Sequence, residues 1–146
     1  MGMNIGFEIE GDKQISAELG ITIDHLTDFS EPMSEAADIM MDAVEDNFDK
    51  RGGRFGGWAP RKPTIPPQTH PLLEKSGDMR KGFFKESNSD YAMVGNDDFK
   101  FPYHQSNQPR KSNLPRRVML QIDATMRDEI FKAFQKYIVY ALRGQR

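Results

Sequence analysis

The residues between Ser30 and Gly53 constrain this chain more than any other stretch. Met33, Ala36, Ala37, Met40, Met41, Val44 and Phe48 recur at steps of three and four, which sets them along one side of an α-helix. Asp38, Asp42, Glu45, Asp46 and Asp49 fall largely on the remaining surface. Ser30 is suited to accept a hydrogen bond from an early backbone N–H, and Pro32 fits a first turn whose donors are not needed. Lys50 and Arg51 complement the negative end of the helix dipole, and Gly52-Gly53 stop the helix. A methionine stripe of this kind is core material. Any fold must bury it.

The segment after this helix cannot continue it. Residues 51–71 hold four Gly and five Pro in twenty-one positions, well above the usual combined share of about 12%. A loop of this length in a compact domain is functional or disordered. Its first part, RGGRFGGWAPRKP, interleaves Arg51, Arg54, Arg61 and Lys62 with Phe55 and Trp58. Such a segment can bind phosphates and stack bases. RGG segments that do so are repetitive and of low complexity, however, and this is one short copy between structured pieces. A sole Trp in a polar loop more often anchors that loop to its own domain or to a partner. Anchoring is the preferred reading.

Elsewhere the pattern alternates between the two periods. Met3–Glu10 reads as a half-buried strand with Ile5, Phe7 and Ile9 on one side. Residues 13–29 carry both helix and strand signals. Ser76-Gly77-Asp78 leads into a short helical step at Met79–Lys81, and Phe83-Phe84 and Tyr91–Val94 read as strands joined by the polar turn Glu86–Asp90. Leu114–Ile122 reads as extended, because Pro115 opposes a helix start and Val118, Leu120 and Ile122 alternate. A closing helix runs from Asp123 to Leu142, with Ile122, Met126, Ile130, Phe134, Ile138 and Ala141 in line and Ala133 and Tyr137 widening the stripe. The expected fold class is α+β: a small antiparallel sheet packed by the two helices, with the long Gly/Pro-rich loop between, in one domain over residues 1–146. Met41, Val44, Phe48, Leu120, Ile130 and Phe134 are expected to meet where both helices cover one face of the sheet.

Chemistry is harder to find. No cysteine is present, which removes disulfides, zinc thiolates and thiol nucleophiles. His25, His70 and His104 are far apart, no HExxH occurs, and the glycines of RGGRFGGW are not followed by Gly-Lys-Ser/Thr. Ser76 has no nucleophile elbow around it, and Asp97 and Asp98 near His104 read as turn formers rather than metal ligands. No apolar run approaches the roughly 18 residues of a membrane span, and the N-terminal residues lack the pattern of a secretory signal. The expectation is a soluble intracellular protein without enzymatic activity, cofactor, metal or membrane. The net charge of -2 conceals a split. Residues 1–50 hold thirteen acidic and two basic residues, residues 51–146 nine acidic and eighteen basic. Either one half screens the other within a monomer, or the two meet charged surfaces on a copy, a partner or nucleic acid.

The order of short motifs adds a further expectation. Val44-Glu45-Asp46-Asn47-Phe48 leads through a Gly-rich turn into Trp58-Ala59-Pro60. Leu73 to Gly82 follows a Leu-x-x-(Thr/Ser)-Gly-x-(Leu/Met)-x-x-Ser pattern, with Gly82 in place of the final Ser. Val94-Gly95-Asn96, a shortened Tyr103-His104-Gln105 and Pro115-Arg116-Arg117-Val118-Met119-Leu120 come next. In this order, over about residues 33–142, the chain resembles the phage virion morphogenesis family, the tail-completion and head–tail joining proteins of Mu-like tailed bacteriophages. The resemblance implies a structural virion protein without catalytic residues, acting as a neck ring subunit. Its partners would be copies of itself, with a hexameric ring favoured, and the phage connector, neck and tail proteins. DNA would be a non-specific contact in the channel. Its location would be the neck or tail of the virion, assembled in the cytoplasm of the bacterial host. On that view Arg51, Arg54, Phe55, Trp58, Arg61, Lys62, Arg116 and Arg117 are the candidate partner contacts, and the 51–71 loop orders against a neighbouring copy. The alternative is a nucleic-acid-binding module that uses the same basic loop together with Pro109–Arg117.

Overall fold

The computed structural model describes residues 4–8, 28–106 and 114–143. Its helices and sheet make an α+β arrangement. A three-stranded antiparallel sheet has the order β1 (Asn4–Glu8), β3 (Tyr91–Asn96), β2 (Phe83–Ser87). The β2–β3 hairpin turns at Asn88, whose Oδ1 accepts from the N–H groups of Asp90 and Tyr91. β1 joins from far away in sequence, pairing Ile5 with Val94 and Phe7 with Ala92.

Helix α1 (Ser30–Asp49) carries the predicted stripe. Met33, Ala36, Ala37, Met40, Val44 and Phe48 are buried, and Met41 is half-buried at the edge. The start differs from expectation. Ser30 is the first helical residue and caps nothing; Asp28 accepts from its N–H at 2.9 Å and from its hydroxyl instead. The end is a Schellman arrangement. Gly52 N–H reaches Asn47 C=O at 2.7 Å and Arg51 N–H reaches Phe48 C=O at 3.0 Å, with Arg51 at φ 52°.

A single turn, α2 (Asp78–Lys81), and a five-residue helix, α3 (Phe101–Gln105), flank the hairpin. α3 seals the hairpin by burying Phe101 completely, its ring edge-on to Phe83 at 5.5 Å.

Helix α4 (Ala124–Leu142) starts where Asp123 caps it, the carboxylate accepting from Met126 N–H at 2.8 Å. It buries Met126, Ile130, Phe134 and Ile138. The two long helices do not share one face of the sheet, as the periodicity suggested. α1 packs on β2 and β3, and α4 packs on α1. A helix buried over so wide an arc has room for both neighbours. Phe29 closes the far end, stacked on Phe134 at 6.0 Å and beside Tyr137, whose hydroxyl donates to Asp28 C=O.

Residues 114–123 also correct the sequence reading. They do not form a strand, and the buried positions are Arg117, Met119 and Leu120, with Val118 and Ile122 half-buried. The segment has no ladder; Arg117 N–H donates to His104 C=O at 2.8 Å, and side chains serve several of its other backbone groups. Gln105 serves Met119 and Leu120: its Oε1 accepts from both N–H groups, and its Nε2 donates to Leu120 C=O. The ambiguous residues 13–27 lie outside the described residues.

Phe134 is 5% exposed at the α1–α4 contact. Phe134→Ala is expected to cost about 3–5 kcal/mol of unfolding free energy, as truncating a buried Phe does. Urea denaturation checks it, and a loss under ~1 kcal/mol would mean that α4 does not face the core.

Candidate interaction surface

The loop after α1 returns at once to the helix that precedes it. A short 3-10 turn at Gly53–Phe55 directs Phe55 N–H to Asn47 Oδ1 at 3.2 Å. Asn47 is fully buried, and its amide donates to Val118 C=O at 3.1 Å. Trp58 Nε1–H reaches the same carbonyl at 2.7 Å. One carbonyl of the 114–123 segment thus takes two donors, filling both lone pairs. The indole also meets Phe48 edge-on, with ring centres 5.1 Å apart. Its close fit is visible at Gly52, where a Cβ would lie 2.4 Å from Trp58 Cγ and φ is +88°. Only glycine meets both conditions.

The arginines are sorted by the fold. Arg54 bridges Asp46 on α1 at 3.3 Å and the α4 cap Asp123 at 3.2 Å, so it joins the two long helices. The hydrogen bond from Lys50 is the largest effect on the Asp46 carboxyl; burial opposes it, and with the smaller help of Arg54 the carboxyl is held below the usual carboxylate range. Arg117 is 5% exposed and donates to the carbonyls of Ala59 and Pro60 at 2.9 and 3.3 Å, fastening the loop from the other side. Burial, and then the nearby charge of Arg61, lower its pKa. Arg61 in turn donates to His70 C=O at 2.7 Å.

Of the eight candidate contacts, Arg54, Phe55, Trp58, Arg61 and Arg117 are therefore engaged within the chain. Arg51 and Lys62 are exposed, and so is Arg116, though its Nε donates to Gln105 C=O at 2.9 Å. The expectation that Trp58 orders only against a neighbour is revised: its own chain already supplies a ring and an acceptor. Residues 62–69 are exposed throughout, Ile65 most of all.

A surface that the sequence reading passed over lies on α4. Phe131, Val139 and Leu142 are 66, 40 and 48% exposed and share an arc of the helix beside its buried stripe. The signal was present as apolar residues off the main stripe. A methionine-and-phenylalanine stripe drew attention first. Among the described residues no group of three or more His, Asp or Glu gathers as a metal site, so Asp97, Asp98 and His104 do not form one. No described helix is long and apolar enough to cross a membrane.

Gly52→Ala is expected to strain the backbone and expel Trp58, costing more than ~1 kcal/mol. Trp58 emission in the folded wild-type protein should lie to the blue of the unfolded chain, and G52A should move it to the red. Identical emission in the two folded proteins would show that the indole is not held by this contact. Comparisons with protein-family models, with curated proteins and with solved structures return no match for this chain.

Proposed function

We propose that this protein is a structural subunit of a tailed bacteriophage virion, acting in tail completion and head–tail joining as a ring of identical copies at the neck. The observation that carries the proposal is the ordered run of motifs over residues 33–142. Several of the motif residues have scaffold roles. Asn47 and Trp58 secure Val118, and Asn96 donates to Met79 C=O at 2.7 Å and accepts from Asp98 N–H at 2.8 Å. Gln105 holds Met119 and Leu120. Motifs spent on holding the backbone fit a protein that presents surfaces rather than one that performs a reaction.

Two surfaces suit self-association. The α4 stripe of Phe131, Val139 and Leu142 is an apolar surface left uncovered among the described residues. Exposed Arg51, Lys62 and Arg116 can face the carboxylates of Glu35 and Asp42 on the next copy, neither of which is in an ion pair among the described residues. Head-to-tail contacts between unlike surfaces close into rings. Trp58 is half-buried, with its N–H spent on Val118 C=O and its ring against Phe48, so it is held within the fold rather than displayed as a stacking platform. That favours the ring over the nucleic-acid-binding alternative.

Light scattering after size exclusion, without nucleic acid, is expected to give a large defined oligomer. Phe131→Glu with Leu142→Glu should reduce it to monomer without loss of helix content, and Arg51, Lys62 and Arg116 changed together to Glu should weaken it. Arg117 is left intact because its reversal would bury an unmatched carboxylate. Glu35→Lys with Asp42→Lys should restore assembly of the triple Arg/Lys variant. A monomer at all concentrations, or a triple variant that keeps its oligomer while losing duplex-DNA affinity across a salt series, would overturn the proposal.

A further inference from the structure

Beneath the loop, a cleft of about 270 Å³ opens between the Arg61–Ser76 stretch, α3 and the segment carrying Arg117. Its charge is strongly one-sided. Arg61, Lys75, Lys100 and Arg117 line it, opposed by one carboxylate, Asp98. Among the described residues none of the four cations is in an ion pair, although the carboxylates of α1 pair with Arg54, Arg80, Lys50 and Lys85. A guanidinium as buried as Arg117 ordinarily has a counter-charge, because taking a cation out of water costs several kcal/mol. Here only the carbonyls of Ala59 and Pro60 offset that cost.

Both guanidiniums are fixed by main-chain acceptors, Arg61 by His70 C=O and Arg117 by the loop. Their side-chain entropy is therefore already lost before any ligand arrives. A second observation comes from His70, which also lines the cleft. Its Nδ1 lies 2.9 Å from Pro71 C=O, an acceptor, and 3.4 Å from Arg61 Nη2, a donor, and the shorter contact is the one that puts the proton on Nδ1. Its Nε2 is buried and has no hydrogen-bond partner. In that tautomer Nε2 accepts, so a hydroxyl on the ligand, such as that of a hydrogen phosphate, would satisfy it.

We propose that this cleft is a binding site for a small oxyanion, with Arg61 and Arg117 as its fixed donors and Lys75 and Lys100 as charges at its wall. Planar guanidiniums match carboxylate and phosphate oxygens in pairs. The volume is below that of pockets for drug-sized ligands, about 300–1,000 Å³, which suits a single phosphate or carboxylate group. A duplex backbone would have difficulty placing a phosphate against an arginine this recessed. The ligand is therefore either free phosphate or a carboxylate side chain from a second copy of the chain. The site stands whether or not the copies form a ring.

The test uses the full chain and inorganic phosphate as the probe, titrated against chloride at equal ionic strength. Melting temperature should rise saturably with phosphate, and calorimetry should give one site per chain. Lys75→Gln with Lys100→Gln should weaken phosphate about tenfold. Lys81→Gln with Lys132→Gln, an equal charge loss on exposed side chains outside the cleft, should leave the affinity unchanged. Arg117→Lys, compared at a temperature where its circular dichroism matches wild type, should also weaken binding because the fork is lost. Light scattering in the same titration separates the sources. A mass that falls as phosphate occupies the site identifies a neighbour's carboxylate, and a constant mass identifies free phosphate. Phosphate that acts no differently from chloride would overturn the proposal, as would equal losses in the two double variants.

Discussion

The carbonyl of Val118 is the point on which the assembly of this fold depends. It belongs to a segment that crosses the core without a strand partner, so its backbone must be satisfied by other means. Asn47 and Trp58 both donate to it, one from the end of α1 and one from the adjoining loop. A few residues on, Gln105 performs the same service for Met119 and Leu120, and Asn96 does so for Met79 and Asp98. Asn47, Asn96 and Gln105 are at most 4% exposed. Leaving such a buried group unmet costs about 1–3 kcal/mol. These amides decide where the irregular segments lie, and those segments in turn shape the loop and the cleft.

Charge is arranged to the same end. Part of the acidic half of the sequence meets part of the basic half inside one chain. Arg80 gathers Glu45, Asp49 and Glu74 at 2.6, 2.7 and 3.1 Å while its guanidinium lies over Phe48. The hydrogen bonds that it donates to Glu45, and then to Asp49, raise its pKa. Lys85 pairs with Asp38, and Arg54 spans α1 and α4. Partly exposed pairs contribute little each, so their role is to set direction rather than to supply stability. The described cations outside these pairs include the exposed Arg51, Lys62 and Arg116, and those of the cleft around Arg117. The proposed ring contacts and the proposed oxyanion site both draw on that remainder.

The Gly/Pro-rich loop also looks different once folded. Its first half is a fastening, closed by Trp58 from within and by Arg117 from behind. Its second half, residues 62–69, is exposed. The surfaces left for the proposed partner contact are therefore the second half, the exposed Arg51 and Arg116, and the α4 stripe. The aromatic residues near the start of the loop belong to the monomer.

The sequence by itself determined the two long helices, their buried faces, the β2–β3 hairpin and the α+β class, because each rests on local periodicity and capping. It also marked Trp58 as an anchor and set the arginines apart as a group. Tertiary structure decided what periodicity cannot express. Alternation at residues 118–122 suggested a strand, but burial there follows the amides of Asn47 and Gln105, which come from distant parts of the chain. Two adjacent arginines, Arg116 and Arg117, look alike in sequence, and only the position of Ala59 and Pro60 draws the second inward. α4 rests on α1 rather than on the sheet because a helix stripe fixes which face is buried, not what it is buried against. A cleft assembled from Arg61, His70, Lys100 and Arg117 has no local signature, since no two of them are neighbours along the chain.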